Sequence, residues 1–180
     1  MTSIIKVNTF QDANGNALFS SDGSGTVTLN NSAMKMTPAF EAYLSATQTP
    51  TNNANTKVQF NTERLDTDDY YDNATNYRFT PLVAGKYFVY LKIYSYSQTA
   101  DSLNITAAKI YKNGSEYARS TFHPNGTGYE YTPVVITTID MNGSTDYVEA
   151  YVNMGVSTGD PLVWNEWNSS VFGAYRLIGA

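Results

Sequence analysis

Cysteine is absent from the 180 residues, so neither a disulfide framework nor a thiolate metal site can form. Histidine occurs once, at His123, beside Pro124 in a Gly-bearing stretch. Charged residues make up 15% of the chain, 11 basic against 16 acidic, and no Lys/Arg cluster stands out. With a formal charge of −5, a nucleic-acid partner is not expected. No apolar run approaches the ~20 residues of a membrane-spanning helix. The opening Met-Thr-Ser-Ile-Ile-Lys-Val lacks a basic segment followed by an apolar one. Neither membrane insertion nor a secretory signal is therefore expected. No segment sustains the 3.6-residue period of an amphipathic helix.

What the chain has instead is 15 Tyr and 8 Phe, set among Thr, Ser, Asn and Gly. That mixture suits half-buried strands joined by polar turns. The strongest pattern runs over residues 86–97, where Tyr87, Val89, Leu91 and Ile93 alternate with Phe88, Tyr90, Lys92, Tyr94 and Tyr96. A strict period of two predicts one long strand, with large side chains on both faces. One face would meet a partner sheet, the other another subunit. Gly85, after the Pro81 bend, supplies the backbone freedom to begin it.

Residues 1–37 carry few large apolar side chains and predict a short attachment segment rather than a domain. It has a strand at 4–7, turns at Asn14-Gly15 and Asp22-Gly23, and a second strand at 26–29. Ile4, Ile5, Val7 and Phe10 are its candidate anchoring side chains. The body, 38–180, begins with Phe40, Ala42 and Leu44 alternating inward. Residues 57–60 and 77–80 read as strands, and 66–76 as an acidic, Tyr-bearing loop. Asn113-Gly114 between two extended runs predicts a type I′ hairpin. Leu103 and Ile105 fall on the opposite parity to Ile110, which predicts a bulge near Ala107-Ala108. Asn142-Gly143 predicts a second hairpin, whose return strand turns Val148, Ala150, Val152 and Met154 inward and Tyr147, Glu149 and Tyr151 outward. Residues 171–178 predict a closing strand. Eight to ten strands at this spacing make an all-β jelly-roll sandwich the expected fold.

Phe60, Asp66, Tyr71, Phe79, Gly85 and Tyr87 together resemble the signature of the C1q globular-head family, related in fold to tumour necrosis factor. The chain departs from it by one extra residue before Phe79, by Val89 where a second Phe stands, and by Leu91 for an aromatic. Asn113-Gly114, residues 143–152 and the Ser170-Val171-Phe172-Gly173 run fit the same family, so the resemblance covers about residues 38–180. It implies a jelly roll, a homotrimer packed about one axis and, as in some C1q-like trimers, calcium. The leader resembles the N-terminal attachment segments of marine phage fibre proteins, with Ile-Lys-Val-Asn followed by Asn-Gly.

For chemistry, the lone His123 offers a hydrolase base, but no Ser stands in a Gly-x-Ser-x-Gly run. Sixteen acids supply many carboxylate pairs, and nothing in their spacing selects one for glycosidase work. Asp66, Asp68, Asp69 and Asp72 cluster as candidate calcium ligands, without the Gly and terminal Glu of an EF-hand loop. Tyr70, Tyr71, Tyr129, Tyr131, Trp164 and Trp167 sit in or beside loops with amide and hydroxyl neighbours, a mixture suited to recognising a host-surface glycan or protein. The expectation is a non-enzymatic virion structural protein without a resident cofactor, a trimeric phage fibre tip or decoration. It would be made in the host cytoplasm, displayed on the particle exterior and joined to other virion proteins through residues 1–37. A cellular C1q-like adhesion or lectin module is the alternative, and a polysaccharide depolymerase the third reading.

Overall fold

A computed structural model describes residues 7–30, 34–124, 128–166 and 169–179. The chain is all-β, with no α-helix among the described residues. Strands β1 (Thr9–Gln11), β2 (Ala17–Ser21) and β3 (Val27–Leu29) form an antiparallel meander that pairs with no strand of the body. One body sheet contains β4 (Ala39–Tyr43), β6 (Thr62–Asp66), β9 (Gly85–Lys92), β14 (Val134–Met141) and β17 (Val171–Arg176), in the order β14-β9-β17-β4-β6. The facing sheet contains β7 (Tyr71–Asp72), β8 (Arg78–Phe79), β11 (Leu103–Lys112), β12 (Ser115–Phe122) and β15 (Val148–Val156), in the order β12-β11-β15-β8-β7. Strand β5 (Asn55–Lys57) also pairs with β15. A small third sheet places β10 (Ser95–Ser97) between β13 (Glu130–Tyr131) and β16 (Pro161–Val163).

The core is the space between the two large sheets. From β9 come Tyr87, Val89 and Leu91, and from the opposite sheet Ala108, Ile110, Ala150, Val152 and Met154, all fully buried. Phe40 stacks on Tyr71 and Phe79, with ring centroids 4.6 and 4.5 Å apart, and takes Phe172 edge-on at 5.0 Å. The spaced aromatic signature is therefore a packing signature. Phe60, Tyr71, Phe79 and Tyr87 come from separated stretches and meet in one cluster. Each buried ring of this size is worth ~1.5–3 kcal/mol. Val89, standing where the family has Phe, is equally buried.

Several expectations need correction. The inward parity of 87, 89, 91 and 93 continues through Ser95 and Ser97, both fully buried, but the strand does not. Its amides change partners: Ile93 N donates to Pro133 O at 3.2 Å and Tyr94 N to Ser170 Oγ at 2.9 Å, after which β10 joins the small sheet. The β11–β12 hairpin has the expected bounds, with Asn113 at φ 51° and Gly114 at φ 77°. The irregularities on β11 fall between Leu103 and Ile105 and between Ile110 and Tyr111, not at Ala107-Ala108. Beyond the first of these, Thr106, Ala108 and Ile110 share the inward face.

Strands β14 and β15 do not form a hairpin, because β14 pairs with β9 and β15 with β11. Asn142 Oδ1 accepts the amides of Ser144, Thr145 and Asp146, winding a turn too long for a two-residue connection. The chain crosses between sheets there, and Gly143 lies against the backbone of Val83 and Ala84, where a Cβ would stand 2.3 Å from Ala84 N. Glu149 keeps the outward side of β15 but is buried there, because Lys57 of β5 covers it with a 2.5 Å ion pair. Val58 and Phe60 are buried outside any strand, and the expected loop at 66–76 contains β7. In the leader the first described strand is β1, Val7 lies outside it, and β2 had no sequence signal strong enough to predict it.

Candidate recognition surface

The parity of β9 carries outward aromatics past the end of the strand. Tyr94 and Tyr96 flank Ser95, and Trp164, just after β16, lies flat on Tyr94 with centroids 5.5 Å apart and planes within 6°. Tyr96 packs on the same indole at 4.5 Å and takes Tyr129 edge-on at 4.7 Å. The phenols of Tyr96 and Tyr129 hydrogen-bond to each other, and Tyr94 Oη donates to the Glu130 carboxylate. That bond, followed by burial, pushes the Tyr94 phenol up to about 12. The Tyr129 hydroxyl raises the Tyr96 phenol in the same sense. The result is a cluster of four rings and one carboxylate built on the β13-β10-β16 sheet. Such a surface can stack on a sugar face or hold a cationic group against rings and an acid.

Of the residues singled out in the sequence, the structure brings Tyr129 and Trp164 together here. Tyr94, Tyr96 and Glu130 complete the cluster. In the sequence the two tyrosines fall on the strand face and Glu130 in a loop; the alternation of 94 and 96 with 95 and 97 is the signal that carries the face onward. Tyr131 lies apart, stacked on Phe122 at 3.8 Å. Tyr70 is half-buried against the core. Tyr71 is corrected to a core residue: it is 5% exposed, and its hydroxyl donates to Phe60 O at 2.9 Å. Burial raises its phenol far above the ordinary range. Trp167, Ile4 and Ile5 lie outside the described residues. Val7 and Phe10 are half exposed, and Phe10 stacks flat on Phe19 across β1 and β2 at 5.1 Å.

The acidic loop uses its carboxylates to close its own backbone. Asp66 accepts the amides of Tyr71 at 2.7 Å and Asp68 at 3.3 Å. Asp72 accepts those of Ala74, Thr75 and Asn76 and the Asn76 side chain, at 2.7–3.1 Å. Thr67 donates to Asp68, and Asp69 takes φ 56°. Among the described residues no three His, Cys, Asp or Glu side chains gather to hold a metal ion. Asp66, Asp68, Asp69 and Asp72 are therefore not drawn together as calcium ligands. His123 is exposed and borders a cavity of about 380 Å³ with Ile105, Ala107, Lys109, Arg119, Thr121 and Asn153. Among the described residues neither a Ser nor a carboxylate lines it, so these residues supply neither a triad nor the two acids of a glycosidase.

The fold as a whole has counterparts among solved structures. Eiger TNF from S. frugiperda superposes with a TM-score of 0.57 over 79% of this chain and 93% of that chain, at 11% identity. Murine APRIL at pH 5.0 gives 0.57 over 77% and 98%, at 9% identity. The fold is the C1q/TNF jelly roll. The globular domain of zebrafish complement 1qA adds a TM-score of 0.53 over 78% of this chain and 97% of that chain, at 12% identity. No family model and no curated protein matches the sequence. In this C1q/TNF jelly roll the aromatic cluster prolongs the outward face of the β14-β9-β17-β4-β6 sheet.

Proposed function

We propose that the chain is a non-enzymatic binding and structural module that works as a homotrimer through the outward face of the β14-β9-β17-β4-β6 sheet. One observation carries this reading. Across that face, exposed Ile136 pairs with Tyr90, Tyr90 with Gly173, Gly173 with Glu41 and Glu41 with half-exposed Leu65. Phe88 stacks on Tyr175 at 5.2 Å in the neighbouring row, and Val134 lies exposed at the end of β14. A sheet face this rich in rings and aliphatics, left open in the protomer, is the composition of an obligate interface. Sedimentation velocity at micromolar concentration tests it. The expected species has three times the 19.9 kDa chain mass; a stable monomer overturns the reading.

The setting we favour is the exterior of a bacteriophage particle, as a fibre tip or decoration that contacts the host surface. Two features support it: the fibre-like opening of the leader, and the β1–β3 meander, which pairs apart from the body and exposes Phe10 and Val27, with Val7 exposed just before it. A meander with exposed apolar side chains and unpaired edges suits docking to another virion protein. The Tyr94, Tyr96, Tyr129 and Trp164 cluster is the proposed contact with a host glycan or protein. A cellular adhesion module would use the same cluster, and the particle-binding test below separates the two settings.

A further inference from the structure

The outward face of the β12-β11-β15 sheet, on the far side of the sandwich from the proposed trimer face, holds the cavity that borders His123. Its shape follows from register. Ala107 sits opposite Thr121 on one side and Asn153 on the other, while the next pair along places Lys109 opposite Arg119. The small side chain at 107 leaves a depression among longer neighbours, with Ile105 beside it and His123 just beyond the end of β12. Its volume of about 380 Å³ is that of a small-ligand pocket, which begins near ~300 Å³.

The lining has three distinct chemistries. Lys109 and Arg119 carry positive charge and His123 adds an imidazole, in a chain whose formal charge is −5. Glu116 holds the Lys109 ammonium at 2.8 Å and meets Arg119 Nε at 3.6 Å, which is beyond hydrogen-bonding length. The lysine is thereby fixed, and the guanidinium keeps donors for a second carboxylate, which its planar fork suits. Ile105 and Ala107 give an apolar floor. Thr121 and Asn153 offer neutral donors and acceptors.

We propose that this depression binds an acidic monosaccharide unit, a six-membered sugar bearing one carboxylate. The carboxylate meets Arg119 and His123, the C–H face of the ring lies on Ile105 and Ala107, and the hydroxyls reach Asn153 and Thr121. A neutral sugar lacks the charge, and an inorganic anion has no apolar face for the floor. The site stands independently of the trimer, because it uses the opposite sheet.

Saturation-transfer NMR on the full chain tests it, with glucuronate as the probe and glucose and sulfate as competitors. Glucuronate should bind, and glucose should bind at least about tenfold more weakly for want of a charge-assisted hydrogen bond. Sulfate at equal concentration should fail to displace the probe. Arg119→Ala, on an exposed side chain, should weaken glucuronate by about tenfold or more. Ala107→Leu, which fills the depression, should abolish binding, with circular dichroism reporting on folding. Equal binding of glucose, displacement by sulfate, undiminished binding in Arg119→Ala or binding retained in a folded Ala107→Leu would each overturn the proposal. If Ala107→Leu fails to fold, the arginine variant and the competitors still decide it.

Discussion

At the scale of single residues, two positions show how side chains set the surface. Gly173 has no positive φ to explain it; what it provides is room. A Cβ there would lie 2.3 Å from Cζ and Oη of Tyr90, whose ring crosses β17 to donate to Glu41 Oε2 at 2.6 Å. Gly173→Ala should displace that ring and cost ~1–3 kcal/mol, as overpacking does. In a Tyr90→Ala background the same change should cost little, and a denaturation double-mutant cycle measures the difference. Equal costs in both backgrounds would show that the glycine serves the backbone instead. Asp72 makes the second case. Hydrogen bonds from the Thr75 amide first, then those of Ala74 and Asn76, lower its carboxyl from the ordinary 3.8 to about 2. A depressed folded value stabilises the fold above the unfolded one and is lost as pH falls. Wild type should therefore exceed Asp72→Asn in urea midpoint at pH 6, with the gap closing between pH 4 and 2 in unfolding curves, by about the span of that shift.

At the scale of elements, the sequence was most readable where periodicity and turn chemistry agreed. The inward faces of β4, β9 and β15 and the β11–β12 hairpin followed directly from alternation and Asn113-Gly114. Pairing partners were not readable in the same way. Asn142-Gly143 looks like a hairpin because a dipeptide carries no information about which sheet receives the next strand. The break after Lys92 was hidden because parity survives a change of partner. Glu149 looked outward because nothing local announces that Lys57 will cover it. Of the aromatic cluster, Tyr129 and Trp164 were legible as loop aromatics, whereas Tyr94, Tyr96 and Glu130 join it only through long-range pairing of β10. The leader gives an element-scale prediction. Strands β1–β3 pair only with one another, so deleting residues 1–37 should shift the melting midpoint of 38–180 by no more than about 3 °C, the change ~1 kcal/mol makes in a domain of this size. The fragment should also cease to co-sediment with particles. Retained co-sedimentation would place attachment on the sandwich instead of the leader, whereas a full chain that fails to co-sediment with particles would count against the phage setting.

For the whole molecule, the proposed function asks one sheet face to serve both assembly and recognition, and charge placement can separate the two. Ile136 is 62% exposed in the protomer, so an acid there is tolerated by the isolated fold. Buried between subunits, the same acid would lose its hydration without a partner. Ile136→Asp should leave the circular dichroism unchanged and weaken subunit association by at least about 30-fold, the cost of disrupting an interface hot spot. Trp164→Ala acts at the other end of the face. If its stack with Tyr94 and Tyr96 serves recognition, the variant remains trimeric while particles carrying it adsorb poorly to cells. Three weak sites on one trimer can raise effective binding by ~10²–10⁴, so losing each site by a modest factor collapses adsorption. A monomeric Trp164→Ala would mean that the cluster is part of the subunit interface, and the contact with the host must then be sought elsewhere on the trimer.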